Sequence, residues 1–106
     1  MKSLKFSDSL PRLILEGKKN TTWRIDNNKN IKENDELSLC NVGGKEFAKA
    51  KIISVKEIKF KDLTKEDKEG HEKFLSNDEM YKTYSRYYNK EVNENTILKV
   101  IKFKVL

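Results

Sequence analysis

The residues best suited to chemistry lie together in one segment, EGKKNTTWR, at positions 16 to 24. The pattern predicts that a helix ends at Gly17 and that a strand follows, on which Thr22 and Arg24 leave the same face because side chains alternate along a strand. Lys19 precedes this strand, so its ammonium, the Thr22 hydroxyl and the Arg24 guanidinium are predicted to meet in one cleft. Two cations and a hydroxyl can together hold a phosphate, a carboxylate or a nucleobase carbonyl.

The same segment also allows a purely structural interpretation. Trp23 takes the other face of the strand, where it is predicted to anchor the core. Lys18, next to Lys19, is a further candidate ligand contact. Spacing alone is also compatible with two surface lysines, a β-forming threonine and an arginine paired with a nearby acid. Both interpretations stay open at the level of the sequence.

A second segment, KEDKEGHEKF at positions 65 to 74, offers carboxylates around a glycine turn. Glu69 or Glu72, brought close to Lys19 and Thr22, would complete a threonine–lysine–glutamate group in which the lysine acts as a base toward the hydroxyl. That role needs a neutral lysine, whose pKa must fall from about 10.4 through burial or a neighbouring cation such as Arg24. A glutamate opposes this shift, so its expected role is to orient the amine or contact the substrate. Such carboxylates are also typical of a solvated helix.

Ring-bearing side chains follow in the next part of the chain. His71 either packs its ring in a loop or acts as an acid–base group. Large side chains recur at i, i+1, i+4, i+7 and i+8 of a helix predicted to open at Ser76: Met80, Tyr81, Tyr84, Tyr87 and Tyr88. This stripe indicates a core face, and Tyr87 or Tyr88, near the helix end, is predicted to present its ring or hydroxyl outside, where it can stack on an unpaired base. Lysines of the last strand either contact phosphates or protect a sheet edge: Lys99, Lys102 and Lys104.

The elements that must position these residues follow the order β-α-β-β-β-α-α-β. A β-type stretch from Glu46 to Phe60 changes the phase of its apolar residues, which predicts a bulge or bend. Ser7 or Asp8 is predicted to cap the first helix, and the Asn-rich segment Asp26 to Asn34 is predicted to be a loop. Five or six strands with segregated helices predict an α+β domain built on a curled or barrel-like sheet. The predicted strands are Lys2 to Phe6, Thr21 to Ile25, Asp35 to Cys40, the 46–60 stretch and Ile97 to Leu106.

Composition limits the classes of protein to which the chain can belong. Its 106 residues suit one domain, and the net charge of +6 favours a polyanionic partner such as RNA, or else reflects a lysine-rich solvated surface. No apolar run approaches the roughly 20 residues of a membrane span, and the first residues are not those of a signal peptide. The single Cys40 excludes an intramolecular disulfide, and one histidine leaves a His/Cys metal site without ligands. We therefore expect a cytoplasmic protein with no membrane segment, no metal and no cofactor.

The residues described so far resemble those of the ASCH domain family, which is related to the PUA fold. The similarity covers nearly the whole chain: GKKNTTWR resembles the family's G-x-K-x-x-T-x-R, ENDELSL replaces its G-D turn, and LTKEDKEGHE, YKTYSRYY and IKFKVL follow in order. The resemblance implies a single domain over residues 1–106, a small PUA-like β-barrel of five to six strands with flanking helices beside a cleft. It also implies binding of RNA or action on RNA-derived ligands.

One bacterial branch of the family hydrolyses 4-acetylcytidine to cytidine and acetate with a Lys, a Thr and a Glu. The resemblance implies that Lys19 is this lysine, that Thr22 is the nucleophile and that Glu69 is the glutamate, with Glu72 as the alternative. Arg24 matches the arginine of the motif. Asn34 replaces the glycine of the G-D turn but tolerates a left-handed backbone, and Asp35 is expected to tie the cleft together by pairing with a cation.

Two functions of different classes follow from the sequence. The first is a binding module whose basic cleft holds RNA or a nucleoside or nucleotide, with Lys18, Asp35, His71, Glu72 and one of the two last tyrosines as further ligand contacts. The second is a small amidohydrolase that deacylates 4-acetylcytidine-type nucleosides, with Lys19 as base, Thr22 as nucleophile and Glu69 orienting the amine. No protein partner is identifiable from the sequence.

Overall fold

A computed structural model describes residues 2–7, 9–26 and 29–106. The strands are β1 (Ser3–Lys5), β2 (Thr21–Arg24), β3 (Glu36–Cys40), β4 (Glu46–Lys59) and β5 (Ile97–Val105). The helices are α1 (Leu10–Leu15), α2 (Lys65–Lys68) and α3 (Asn77–Tyr88), and a 3₁₀ turn spans Phe60–Asp62. The predicted order of elements and the α+β class are confirmed, and the described residues form five strands.

The five strands form one curled sheet, a half-barrel, in the order β1-β3-β4-β5-β2. Only β1 and β3 run parallel, and the other neighbouring strands are antiparallel. The register between β4 and β5 shifts between Ile52 and Ser54, which confirms the bulge expected from the phase change in β4. A bulge bends its strand and increases the local twist. It therefore contributes to the curl that brings β2 toward the helices.

Two groups of buried apolar residues fill the interior. Cluster 1 is built on β1, α1, β3 and the middle of the sheet: Leu4, Phe6, Ile14, Ile31, Leu37, Leu39, Ala50, Ile52, Ile101 and Phe103. Cluster 2 joins β2 to α3: Trp23, Ile25, Phe60, Met80, Tyr84, Val92, Leu98 and Val100. The strand β5 contributes to both clusters, so it connects the two parts of the core.

The aromatic stripe of α3 packs as its spacing predicts. Met80 and Tyr84 are buried, and Tyr81 and Tyr88 pack against cluster 2. Tyr87 is 60% exposed, which confirms that a tyrosine near the helix end presents its ring outside. The stripe is therefore a core face with one outward aromatic ring.

The helix starts differ in part from expectation. The Ser76 hydroxyl caps α3, and Thr64 and Asp67 form the reciprocal capping box that opens α2. Ser9, rather than Ser7, precedes the first turn of α1 and makes no side-chain cap. Asp8 and two residues of the predicted loop, Asn27 and Asn28, lie outside the described residues. None of the helices in the described part of the chain is long and apolar enough to cross a lipid bilayer.

Candidate ligand-binding site

A cavity of about 280 Å³ opens between the two core clusters and is called here the Arg24 cavity. Phe6 and Leu10 from the cluster 1 side line it, together with Trp23 and Tyr84 from cluster 2. The side chains that give the cavity its chemical character are Thr22, Arg24, His71, Glu72, Tyr87 and Tyr88. The cavity therefore combines a carboxylate, a guanidinium, hydroxyl groups and aromatic rings, and Lys5 also lines it.

Thr22 and Arg24 share a face of β2, as their alternation predicts, and they contact each other. The Arg24 Nε donates to the Thr22 Oγ1 at 3.0 Å, and a terminal nitrogen donates to the Lys5 carbonyl at 2.8 Å. The guanidinium lies 4.7 Å from the centre of the Phe6 ring. Burial lowers the pKa of Arg24, but a guanidinium keeps its charge in proteins. Arg24 is therefore a fixed cation in the cavity wall.

Lys19 is buried next to this wall, with only 3% of its surface exposed. Its Nζ donates to the Thr21 carbonyl at 2.7 Å and to the Glu72 Oε2 at 2.6 Å. Burial lowers the pKa of Lys19, while the Glu72 carboxylate opposes that shift. Lys19 is not itself among the residues that line the cavity, whereas Glu72 is. Lys19 therefore positions the Glu72 carboxylate, which in turn lines the cavity.

The position of Glu72 depends on a backbone connection between the segment after α2 and the start of β2. The Gly70 carbonyl accepts hydrogen bonds from the amides of Asn20 and Thr21, at 2.9 and 3.1 Å. Gly70 has a φ of +73°, a conformation that glycine adopts without strain. Burial would raise the pKa of Glu72, but His71 and Lys19 hold it below its ordinary value. Glu72 is therefore an anion at neutral pH.

His71 is a buried neutral ring. Burial, followed by the charge of Lys19, lowers the pKa of His71 to about 4. Its Nδ1 lies 2.8 Å from the Glu72 carbonyl, which can only accept, so Nδ1 carries the proton and Nε2 accepts from the Tyr84 hydroxyl at 3.0 Å. The ring stacks on Trp23 with centroids 3.8 Å apart. The geometry favours the interpretation in which the His71 ring packs in the core. These contacts hold His71 in place next to Glu72.

The acid that meets Lys19 is Glu72, and the expectation that Glu69 supplies this carboxylate is corrected. Glu69 follows α2 with its side chain exposed, and it contributes through its carbonyl, which accepts from the Thr21 hydroxyl at 2.6 Å. The short α2 ends before Glu69, and the glycine turn places only the later glutamate at the amine.

Two other predicted ligand contacts lie away from the cavity. Asp35 pairs with Lys2 at 3.2 Å and accepts a hydrogen bond from the Lys32 amide. It therefore pairs with a cation, as expected, but Lys2 does not line the cavity. Lys18 is exposed and lies 3.5 Å from Glu16. Neither Asp35 nor Lys18 is among the residues that line the cavity.

Tyrosines complete the cavity. The Tyr88 hydroxyl accepts from the Ile25 amide at 3.1 Å, which fixes its ring, and Tyr87 packs edge-on against Tyr84 with centroids 5.8 Å apart. Both Tyr87 and Tyr88 line the cavity. Sequence reasoning did not assign Phe6 or Leu10 to the site, and the parallel pairing of β1 with β3 that places Phe6 there has no local sequence signal. Among the described residues, no three His, Cys, Asp or Glu side chains are grouped as metal ligands.

Comparison with known proteins agrees with this architecture. A model of the ASCH domain matches residues 1–106. The fold is similar to an ASCH domain structure from Lactobacillus crispatus, at 19% identity and a TM-score of 0.74, over 98% of this chain and 78% of that one. It is also similar to a protein of Enterococcus faecalis, at 12% identity and a TM-score of 0.77, over 93% of this chain and 71% of that one.

A third similar structure is that of the hypothetical protein PH0355, at 27% identity and a TM-score of 0.75, with both chains covered completely (100% of each). No curated protein matches the sequence. The half-barrel with its flanking helices and the family match over the full length lead to one conclusion: the chain belongs to the ASCH domain family.

Proposed function

We propose that the Arg24 cavity binds one nucleobase, either of an RNA strand or of a nucleoside derived from RNA. ASCH domains are a fold family linked with RNA or nucleotide binding. The observation that carries the proposal is that one cavity contains both a fixed guanidinium, Arg24, and a fixed carboxylate, Glu72. A volume of about 280 Å³ is at the small end of ligand pockets, which suits a single base or nucleoside.

The two charged groups complement the edge of a base such as cytosine. The Glu72 carboxylate accepts from an exocyclic amine, and the guanidinium donates to the neighbouring carbonyl or ring nitrogen. The outward ring of Tyr87 offers a stacking surface. The net charge of +6 attracts the phosphates of a strand to the protein as a whole.

Calorimetric titration with cytidine, with uridine and with short single-stranded RNA tests this proposal. We expect Arg24→Lys to weaken binding at least tenfold because a lysine cannot replace the planar donor group. Arg12→Lys is the matched control, since Arg12 is exposed and pairs only with Glu16 among the described residues. Binding that is equal in both variants, or no binding of any nucleoside or RNA to the wild-type protein, would reject the proposal.

A second candidate function is hydrolysis of N-acylated cytidine, and one contact and one pKa shift favour it. The Thr22 oxygen accepts from the Arg24 Nε, which stabilises negative charge on that oxygen, and burial lowers the pKa of Lys19. This reaction requires Lys19 as a neutral amine, so the lysine must first lose the proton that it holds in the ion pair with Glu72. The Thr22 Oγ then attacks the acetyl carbon as its proton passes to the Lys19 Nζ. The C–N bond then breaks as Lys19 passes this proton to N4 of cytidine, and water hydrolyses the ester to acetate and the free Thr22 hydroxyl.

Release of cytidine from 4-acetylcytidine distinguishes the two functions. Under the hydrolase proposal Thr22→Val removes turnover, Thr22→Ser retains part of it, and Lys19→Met abolishes it in a folded protein. Saturable binding of 4-acetylcytidine with no release of acetate would leave the binding function and reject the hydrolase.

A further inference from the structure

A second cavity, of about 340 Å³, adjoins the Arg24 cavity and is called here the Phe74 cavity. Trp23 and Glu72 line both cavities, so a ligand bound in one lies next to the opening of the other. The residues that distinguish the Phe74 cavity include Lys68, Lys73, Phe74, Leu75 and Met80. A ligand that occupies both cavities would have to extend past Glu72.

The Phe74 cavity combines an aromatic wall with two cations. Phe74 is half-buried and packs near Trp23, with ring centroids 6.5 Å apart, and Leu75 is 94% exposed beside it. Lys68 and Lys73 are exposed, and neither takes part in an ion pair within the described residues. An aromatic surface beside unpaired ammonium groups suits a base and its phosphate.

We infer that the Phe74 cavity holds the nucleotide next to the base in the Arg24 cavity, so that the ligand is a single strand of at least two nucleotides rather than a free nucleoside. This inference rests on the proposed binding function. The base stacks on Phe74, and the phosphate between the two nucleotides lies against Lys68 and Lys73. An apolar peptide side chain would also fit beside Leu75, but it would leave both ammonium groups without a partner.

Affinities for cytidine, its monophosphates and dinucleotides that carry cytidine at the 5′ or the 3′ position test the inference. We expect one dinucleotide series to bind roughly tenfold or more tightly than cytidine, which is the scale of one added stacked base. The double variant Lys68→Ala/Lys73→Ala should lose most of that gain, and its dependence on salt should be weaker by a log–log slope of about 0.7 for each lost phosphate contact. Cytidine itself should bind this variant as it binds the wild type.

The variant Lys49→Ala/Lys51→Ala is the matched control, because it removes the same charge from exposed positions outside both cavities. Dinucleotides that bind no better than cytidine, or an equal loss in both double variants, would overturn the inference while leaving the proposed function intact. If neither cytidine nor any dinucleotide binds, the proposed function itself fails.

A methyl signal gives an independent readout of occupancy. The chain contains two methionines, and Met80 lines the Phe74 cavity. With ¹³C-methyl methionine, the Met80 signal, assigned through Met80→Leu, should shift with the dinucleotide and stay in place with cytidine. A shift of equal size with both ligands would overturn the inference.

Discussion

Glu72 serves two purposes because of where its carboxylate lies. It neutralises the buried ammonium of Lys19, and it presents an acceptor to the Arg24 cavity. A buried ammonium without a counter-charge is destabilising, so the ion pair contributes to the stability of the fold. The glutamate thus links the stability of the domain to the chemistry of its cavity.

Glu72→Gln is therefore expected to reduce both stability and binding. Removing one partner of a fully buried pair costs about 3–5 kcal/mol. The loss is expected to be smaller here, about 2 kcal/mol, because Glu72 is 31% exposed and glutamine still accepts one hydrogen bond. Chemical denaturation measures the free energy of unfolding. Glu69→Gln is the matched control, since that side chain is exposed, and its effect should stay within about 0.5 kcal/mol. Equal losses in both variants would contradict the assignment of Glu72.

His71 predicts how the stability of the domain depends on pH. Its pKa falls from an ordinary 6.5 to about 4 in the folded protein, so the unfolded chain binds more protons between these values. The contribution of neutral His71 to the free energy of unfolding is therefore complete above about pH 6.5. It is lost as the pH falls toward 4, by at most about 1.4 kcal/mol per pH unit. Denaturation midpoints measured from pH 7.5 to 4.5 should show this slope.

The only histidine of the chain is His71, which makes the control simple. His71→Gln is expected to lower stability at every pH, yet to flatten the slope between pH 6.5 and 5, where no other side-chain type titrates with its ordinary pKa. A slope that persists unchanged in this variant would show that another group is responsible.

At the scale of the elements, regular patterns were predictable and irregular segments were not. Alternation correctly places Thr22 and Arg24 together on β2, and the period of α3 correctly separates Met80 and Tyr84 from the exposed Tyr87. The segment after α2 has no periodicity, and its path is set by hydrogen bonds of Gly70 to a distant strand. For that reason the sequence left Glu69 and Glu72 as alternatives for the carboxylate at Lys19.

Gly70 tests this connection between elements. An added Cβ would lie 1.7 Å from the Asn20 Oδ1, at a φ of +73°, so Gly70→Ala must move the Asn20 side chain as well as strain the backbone. Gly44→Ala is matched, since Gly44 has a φ of +84° and no atom within 4 Å of the added Cβ. We expect roughly 1–2 kcal/mol for the backbone strain in both variants and about 1 kcal/mol more for Gly70→Ala. Only Gly70→Ala should also weaken ligand binding, and equal effects of the two variants on stability and on affinity would contradict this account.

At the scale of the whole molecule, the Arg24 cavity depends on both halves of the core. Phe6 and Leu10 belong to the cluster 1 side of the cavity, whereas Trp23 and Tyr84 belong to cluster 2. Phe6 directly follows β1 and Trp23 lies on β2, and these two strands occupy opposite edges of the sheet. Local sequence signals predict the strands but not this order, since parallel pairing of β1 with β3 depends on long-range contacts. The number of predicted strands and the segregated helices already favoured a curled sheet, and the resemblance to a known family implied the same architecture.

If the two clusters unfold as one cooperative unit, a substitution that destabilises cluster 1 must also lower the unfolding midpoint of cluster 2. Leu39 is completely buried in cluster 1, and Leu39→Ala should cost about 2–5 kcal/mol. The only tryptophan, Trp23, reports from cluster 2, so its fluorescence should show the same lowered midpoint as circular dichroism of the whole chain. Ile53→Ala, at a half-exposed position of β4, is the control and should cost less than about 1 kcal/mol. A Trp23 transition that stays at the wild-type midpoint while the rest of the protein unfolds earlier would mean that the clusters unfold separately. In that case the cavity between them could not be treated as one preformed site.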